Sequence, residues 1–269
     1  MSIWERTVPE IHGLPKGAAI DVSGVKVCVW SKGEGRTLLY LHPGSGLHDH
    51  GDFLDALSKR YHVIAPAHPG FDGSQRPSAI TSVSDLAFFY LDFIEQLDLR
   101  NIVLVGSSFG GWIAAELATM AAERITGLAL VDPVGIKVSD RMTRDILDLF
   151  SIPLYDHPKH LFHGERRNTV YVDYPRDVLV RLAANHDAFT RFAWSPTLYN
   201  PKLRERLHRI KVPSLLVWGE EDCIVNVGYG KAFSNLIAGS QLVTIKSAGH
   251  YSFIDRAPSV VDHIASKFL

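Results

Sequence analysis

Ser108 lies in Gly106-Ser107-Ser108-Phe109-Gly110, a G-x-S-x-G pattern that follows the apolar run 102–105 and leads into the alanine-rich stretch 113–123. A strand that enters such a pattern and leaves it as a helix throws the central side chain clear of the sheet on a sharp turn, where a nucleophilic hydroxyl is useful. The two glycines let strand and helix approach. The N–H of Phe109 falls at a helix N-terminus, where positive partial charge can stabilise a developing oxyanion. Ser107 is out of register with the glycines. The pattern alone recurs by chance, and the strand before it and helix after it give it weight.

A serine hydroxyl is a poor nucleophile until a base takes its proton, so a histidine and an orienting carboxylate are required. Leu215-Leu216-Val217-Trp218 ends in Gly219-Glu220-Glu221-Asp222, and Leu242-Val243-Thr244-Ile245 is followed by Ser247-Ala248-Gly249-His250. Asp222 and His250 thus each hang off the C-terminal end of a separate strand, the edge of a parallel sheet at which sites assemble. Asp132, just past the run 128–131, is the alternative acid. A second oxyanion donor should come from a loop after an early strand. Residues 37–41 form that strand and lead into His42-Pro43-Gly44-Ser45-Gly46. Gly44 is the expected donor, because Pro43 has no N–H.

Eight strands are expected to carry these loops, at about 18–22, 25–30, 37–41, 62–65, 102–106, 127–131, 214–218 and 241–245. The first two form a hairpin around Ser23-Gly24. The later ones are continuous apolar runs separated by helical segments, so an antiparallel edge joins a buried parallel sheet. Ser82 followed by Asp85 reads as the cap of a helix carrying Leu86, Phe89, Tyr90, Phe93, Ile94 and Leu97 at core spacing. The interval 135–204 is too long for a structureless loop and reads as an inserted cap, with helices at 141–150 and 177–194 and many aromatic residues. A basic amphipathic helix over 202–211 returns to the core. The expected division is a core of 1–134 and 205–269 with a cap of 135–204.

With 269 residues, 46% hydrophobic content, 21% charged content and a net charge of -1, the chain reads as a globular α/β protein with no affinity for nucleic acid or an anionic membrane. Residues 1–6 carry no apolar leader and no stretch of about 18 apolar residues occurs, which suggests a cytoplasmic location. Cys28 and Cys223 are expected to be free thiols, and Cys223 lies in no cysteine-enzyme signature. His157, His160 and His163 recur at a spacing of three, and His48-Asp49-His50 follows the oxyanion loop. No further ligand accompanies either group, so neither a metal nor a cofactor is expected, and His48 falls near the rim of the site. The expected partner is a small-molecule substrate, for a monomer or homodimer.

With these pieces in order, the chain resembles the α/β-hydrolase superfamily along nearly its whole length, through LLYLHPGSG, APAHPGFDGS, VLVGSSFGGW, LLVWGEED and SAGH. The resemblance implies Ser108 as nucleophile, His250 as general base and acid, Asp222 as orienting acid, and Gly44 with Phe109 as the oxyanion hole. Two departures stand out: His42-Pro43 where members usually carry His-Gly, and Asn226 where many carry a proline. Serine at the elbow differs from the epoxide hydrolases and haloalkane dehalogenases of this fold, which use aspartate. The implied activity is metal-independent cleavage of an ester, thioester or lactone of a small, partly apolar molecule. Carbon-carbon hydrolases of dienone ring-cleavage products share the same three residues, as do perhydrolases and acyltransferases, and receptor-like members bind a small molecule without turnover. Tyr251-Ser252-Phe253 after the histidine lacks the tryptophan often found in carbon-carbon hydrolases, which favours esters.

Overall fold

Alternating exposure at the start of the chain and unbroken apolar runs later on divide one sheet into two kinds of strand. The computed structural model describes residues 18–47, 50–121, 123–140 and 142–269. Residues 1–6, His48, Asp49 and Arg141, which enter the sequence analysis, lie outside the described residues. Strands β1 (Ala18–Val22) and β2 (Val25–Lys32) form an antiparallel hairpin, with Ser23 and Gly24 at φ 50° and 83° in the turn. They are followed by β3 (Thr37–Leu41), β4 (His62–Pro66), β5 (Ile102–Ser107), β6 (Ile125–Val131), β7 (Ser214–Gly219) and β8 (Gln241–Ile245). The sheet order is β1-β2-β4-β3-β5-β6-β7-β8. β2 runs antiparallel to β4, and every pairing from β4 to β8 is parallel.

The chain passes from β3 to β4 on one side, then crosses to β5 on the other. That reversal leaves the loops after β3 and β5 side by side at the C-terminal edge, the position at which open parallel sheets hold ligands. Helices α1 (Gly51–Ser58), α2 (Val83–Gln96), α3 (Phe109–Ala118), α6 (Val227–Asn235), α7 (Ser252–Asp255) and α8 (Ala257–Phe268) flank the sheet. α2 packs on α3, and α1 on α8. Between β6 and β7 lie α4 (Pro158–Leu161) and α5 (Arg176–Ala193), joined by irregular chain and short 3-10 turns.

α5 matches the expected helix to within a residue at each end, but the stretch 142–150 is not an α-helix. Asp140 Oδ1 accepts from the N–H groups of Met142 and Thr143, and Asp145 Oδ2 accepts from those of Val138 and Ser139. These side chains take backbone donors into local turns, the competition that disfavours helices rich in such residues. A 3-10 turn at Leu149–Ser151 is the helical structure that remains there. The expected helix over 202–211 is likewise a 3-10 turn, Arg204–Arg209. α3 stops at Ala118, short of 123, where the Thr119 hydroxyl donates back to Glu116 O at 2.7 Å.

α2 starts as its sequence predicts. Ser82 Oγ accepts from Asp85 N at 3.1 Å while Asp85 Oδ2 accepts from Ser82 N at 2.9 Å. Val83, Leu86, Phe89, Tyr90, Phe93 and Ile94 are buried behind that cap. Replacement of the cap, Ser82→Ala, is expected to lower unfolding free energy by about 1 kcal/mol in urea titration with the m-value unchanged.

Candidate active site

β5 ends at Ser107, and Ser108 turns the chain at φ 51° and ψ -114° as the residue that caps α3. A side chain at Gly106 would bring its Cβ within 2.3 Å of Gly110 O, and one at Gly110 within 2.1 Å of Leu41 O. The strand and helix therefore cross at a distance that no other residue permits. Ser108 N donates to Val131 O at 2.9 Å, which ties the turn to β6. Ser107 points into the core, where its Oγ accepts from the Tyr40 hydroxyl at 3.2 Å.

Ser108 Oγ lies 2.7 Å from His250 Nε2, and His250 Nδ1 lies 2.8 Å from Asp222 Oδ2. His250 is fully buried and Ser108 is 6% exposed. The second oxygen of Asp222 accepts from Ile224 N at 2.7 Å and Val225 N at 3.0 Å. An ionised carboxylate can only accept, so the imidazole proton sits on Nδ1 and the Nε2 lone pair faces the serine hydroxyl. That line of bonds can draw a proton from Ser108 as its oxygen attacks a carbonyl.

Asp132, the alternative acid, does not reach the histidine. It is buried at the end of β6, where it accepts from Gly219 N at 2.7 Å and from the Ser252 hydroxyl at 2.5 Å. Burial, followed by the charge of Asp222, pushes its carboxyl well above the usual range. Asp132 thus spans the end of β7 and the segment after His250.

The loop after β3 turns through Pro43–Gly46, with Gly46 N donating to Pro43 O at 3.1 Å. Gly44 is buried beneath the Phe189 ring of α5, which would stand 2.7 Å from a Cβ at that position. Behind the loop, the His42 and His68 rings lie against each other with centroids 3.6 Å apart and planes tilted by 31°. His68 N donates to His42 Nε2 at 2.9 Å, which leaves the His42 proton on Nδ1 to donate to Pro43 O at 2.7 Å. His68 Nε2 donates to His42 O at 2.9 Å, and its Nδ1 accepts from the Tyr90 hydroxyl at 2.5 Å. Burial pushes His42 down to about 3 and, with the neighbouring His42 as second cause, holds His68 well below its usual value.

His157 Nε2 reaches Leu149 O and Ile152 O at 3.0 and 3.1 Å. Among the described residues, no group of three or more His, Cys, Asp or Glu side chains is placed to hold a metal ion. Cys28 and Cys223 are free thiols, and no described helix is long and apolar enough to cross a membrane. Sequence reasoning passed over Asp255, whose Oδ2 accepts from Gly249 N at 2.9 Å and His163 N at 2.8 Å. It also passed over Asp72 and Asn185, which bind each other beside the loop after β3. Asp72 stood within the quoted APAHPGFDGS segment, whereas nothing in the sequence distinguished Asn185 from its polar neighbours.

A profile of the alpha/beta hydrolase fold matches residues 36–257. Among curated proteins, a probable 1-acylglycerol-3-phosphate O-acyltransferase of Oryza sativa subsp. japonica is 24% identical over 80% of this chain and 63% of its own length. Monoacylglycerol lipase ABHD6 of Mus musculus is 26% identical over 86% of this chain and 76% of its own. The 2-hydroxy-6-oxo-6-(2'-aminophenyl)hexa-2,4-dienoic acid hydrolase of Metapseudomonas resinovorans is 26% identical over 88% and 85%. The chain spans less than two thirds of the rice protein.

The histidine pair behind the loop makes stability depend on pH. Both imidazoles are neutral in the folded protein and titrate near 6.5 when unfolded, so below that pH the unfolded state binds more protons and stability falls. For His42 the window extends from about 6.5 down to about 3. Each histidine contributes a loss on the order of 1 kcal/mol per pH unit in its window. Urea titrations at pH 7.5, 6.5 and 5.5 should show that slope, and His68→Gln should reduce it.

Proposed function

The chain belongs to the alpha/beta hydrolase fold family, and from that premise we propose that it is a serine hydrolase acting on an ester, thioester or lactone of a small, partly apolar molecule. The observation that carries this reading is the unbroken line of short bonds from Ser108 Oγ through His250 to Asp222. Ser108 attacks the carbonyl while His250 Nε2 takes its proton, and the imidazolium is held by Asp222. The tetrahedral oxyanion is stabilised by the N–H groups of Gly44 and Phe109. Collapse expels the alcohol or thiol with the proton from His250, and water then cleaves the acyl-enzyme by the same route.

Residues 1–134 and 205–269 act as the catalytic core and 135–204 as a cap over its C-terminal edge. Phe189 of the cap lies 5.2 Å from Phe109, centroid to centroid, and 5.1 Å from Phe150. This apolar lining beside the nucleophile favours a short or medium acyl group that can be largely buried over an extended lipid. A second reading is carbon-carbon cleavage of a dienone ring-cleavage product. It is favoured by the likeness to the Metapseudomonas dienoic acid hydrolase over 85% of that protein.

Ser108→Ala is expected to lower kcat by about 10⁶-fold with the fold retained, because the members of such a triad work as a unit. Asp222→Asn should lower kcat by about 10⁴-fold through loss of the imidazole tautomer, and Asp132→Asn should be far milder. A fluorophosphonate adduct mapped by mass spectrometry should fall on Ser108; an adduct on Ser107, or the reverse ranking of the two aspartates, would overturn the assignment.

Substrate class is tested by comparing kcat/KM for a p-nitrophenyl acyl series with that for a 2-hydroxy-6-oxo dienoate. Short and medium esters should be preferred. A dienoate preferred by more than about a hundredfold, some 2.7 kcal/mol in transition-state binding, would establish the second reading instead.

A further inference from the structure

Asn185 is fully buried in the middle of α5, a cap helix whose exposed positions are mostly polar. Its Nδ2 donates to Ser45 O at 2.9 Å and to Asp72 Oδ1 at 2.8 Å, and its Oδ1 accepts from Asp72 N at 2.9 Å. The other oxygen of Asp72 accepts from Leu47 N at 2.7 Å. The pair is pressed against the loop: a Cβ at Gly46 would stand 2.2 Å from Asn185 Nδ2 and 2.4 Å from Asp72 Oδ2. One helical turn further on, Phe189 covers Gly44. The loop over 44–47 is therefore gripped from the cap by two successive turns of one helix.

An oxyanion donor is effective when it is already in place as charge develops, since it then costs no reorganisation at the moment of reaction. A turn with glycine at 44 and 46 has little stiffness of its own. His42 fixes its N-terminal side through the bond to Pro43 O. On the C-terminal side Asn185 holds Ser45 O and Asp72 holds Leu47 N, and the Tyr251 hydroxyl donates to Ser45 Oγ at 3.1 Å from the core. Asp72 itself sits at φ 45°, a backbone state that persists where surrounding bonds over-determine it.

We propose that Asn185 is a positioning residue for the oxyanion loop, so that seating of cap helix α5 on residues 44–47 is a condition for stabilising the transition state. The proposal rests on the reading of Gly44 as an oxyanion donor. It makes α5 part of the catalytic machinery. When α5 lifts, the bond from Asn185 to Ser45 O and the Phe189 cover over Gly44 are lost, while Ser108 and His250 keep theirs. A second tie between cap and core, Arg76 to Asp187 at 2.6 Å, is exposed and touches no part of the loop, so it provides a control.

The test compares an ester with the matching thionoester, in which sulfur replaces the carbonyl oxygen. Sulfur is a weak acceptor and sits further from the carbon, so a well-formed hole favours the oxygen substrate. The ratio of the two kcat/KM values reports the grip of the hole and is independent of how much of a sample is folded. In Asn185→Leu the ratio should fall by about tenfold or more, with kcat reduced and KM changed by less than about threefold. Asp72→Asn, which keeps one acceptor, should move the ratio in the same direction by less. Arg76→Ala should leave it within about twofold of the unsubstituted protein. A wild-type ratio in Asn185→Leu overturns the proposal, and if that variant does not fold, an unchanged ratio in Asp72→Asn does so. An unsubstituted protein that cleaves no ester overturns the ester-hydrolase reading and the proposal with it, while ester cleavage with an invariant ratio overturns the positioning role alone.

Discussion

The crossing of β5 and α3 at Ser108 constrains everything else in the site. A non-glycine residue at φ 51° and ψ -114° carries strain of about 1–3 kcal/mol, which the surroundings must hold in place. They do so from several sides. β3 and β6 pair with β5 on either edge, Ser108 N bonds to Val131 O, and Trp112 N bonds to Ser108 O as the first turn of the helix. The close approach of Gly106 to Gly110, and of Gly110 to Leu41, leaves no space for adjustment. The hydroxyl is thus presented in one direction before any substrate arrives.

That fixed direction gives the other loops a target. His250 is 142 residues from Ser108 and 28 from Asp222 in sequence, so their contact depends on the order of β5, β6, β7 and β8 in the sheet. The same order brings Asp132 close to Asp222 and would set two like charges against each other. Environment separates them. Asp222 accepts backbone N–H groups and faces an imidazole N–H, whereas Asp132 is sealed among β6, β7 and α7 with its carboxyl pushed upward. Two carboxyl groups in one site thus have different hydrogen-bond partners and different surroundings.

The strands were legible because buried parallel strands are written as continuous apolar runs, and the ends of those runs bring Ser108, Asp222 and His250 to one edge of the sheet. Legibility fails where a side chain decides the backbone. Asp140 and Asp145 convert a stretch of helical appearance into turns, and periodicity carries no sign of that competition. It fails again where a polar residue is buried by a distant partner. Asn185, within Ala-Ala-Asn-His-Asp, reads as a solvated helix face, and its burial follows from the fold that places Asp72 beneath it. The contact of His42 with His68, 26 residues away, requires β3 and β4 to be neighbours, which no local pattern encodes. By contrast, the spacing of His157, His160 and His163 is conspicuous in sequence, yet His157 spends its ring N–H on two carbonyls.

Around the loop after β3, His42, His68, Asp72 and Asn185 are buried among mostly apolar residues. Replacing such groups with hydrocarbon of similar volume often leaves a protein no less stable, so stability is a weak explanation for them. Position is a better one. Apolar contacts are non-directional and tolerate sliding, whereas hydrogen bonds with fixed donors and acceptors have one arrangement that satisfies them all. The imidazole pair meets the loop on one side, with tautomers set by backbone partners, and Asp72 of the core and Asn185 of α5 meet it together on the other. A turn rich in glycine needs placement that packing alone does not supply. The polar network is the physical means by which a glycine-rich turn acquires it.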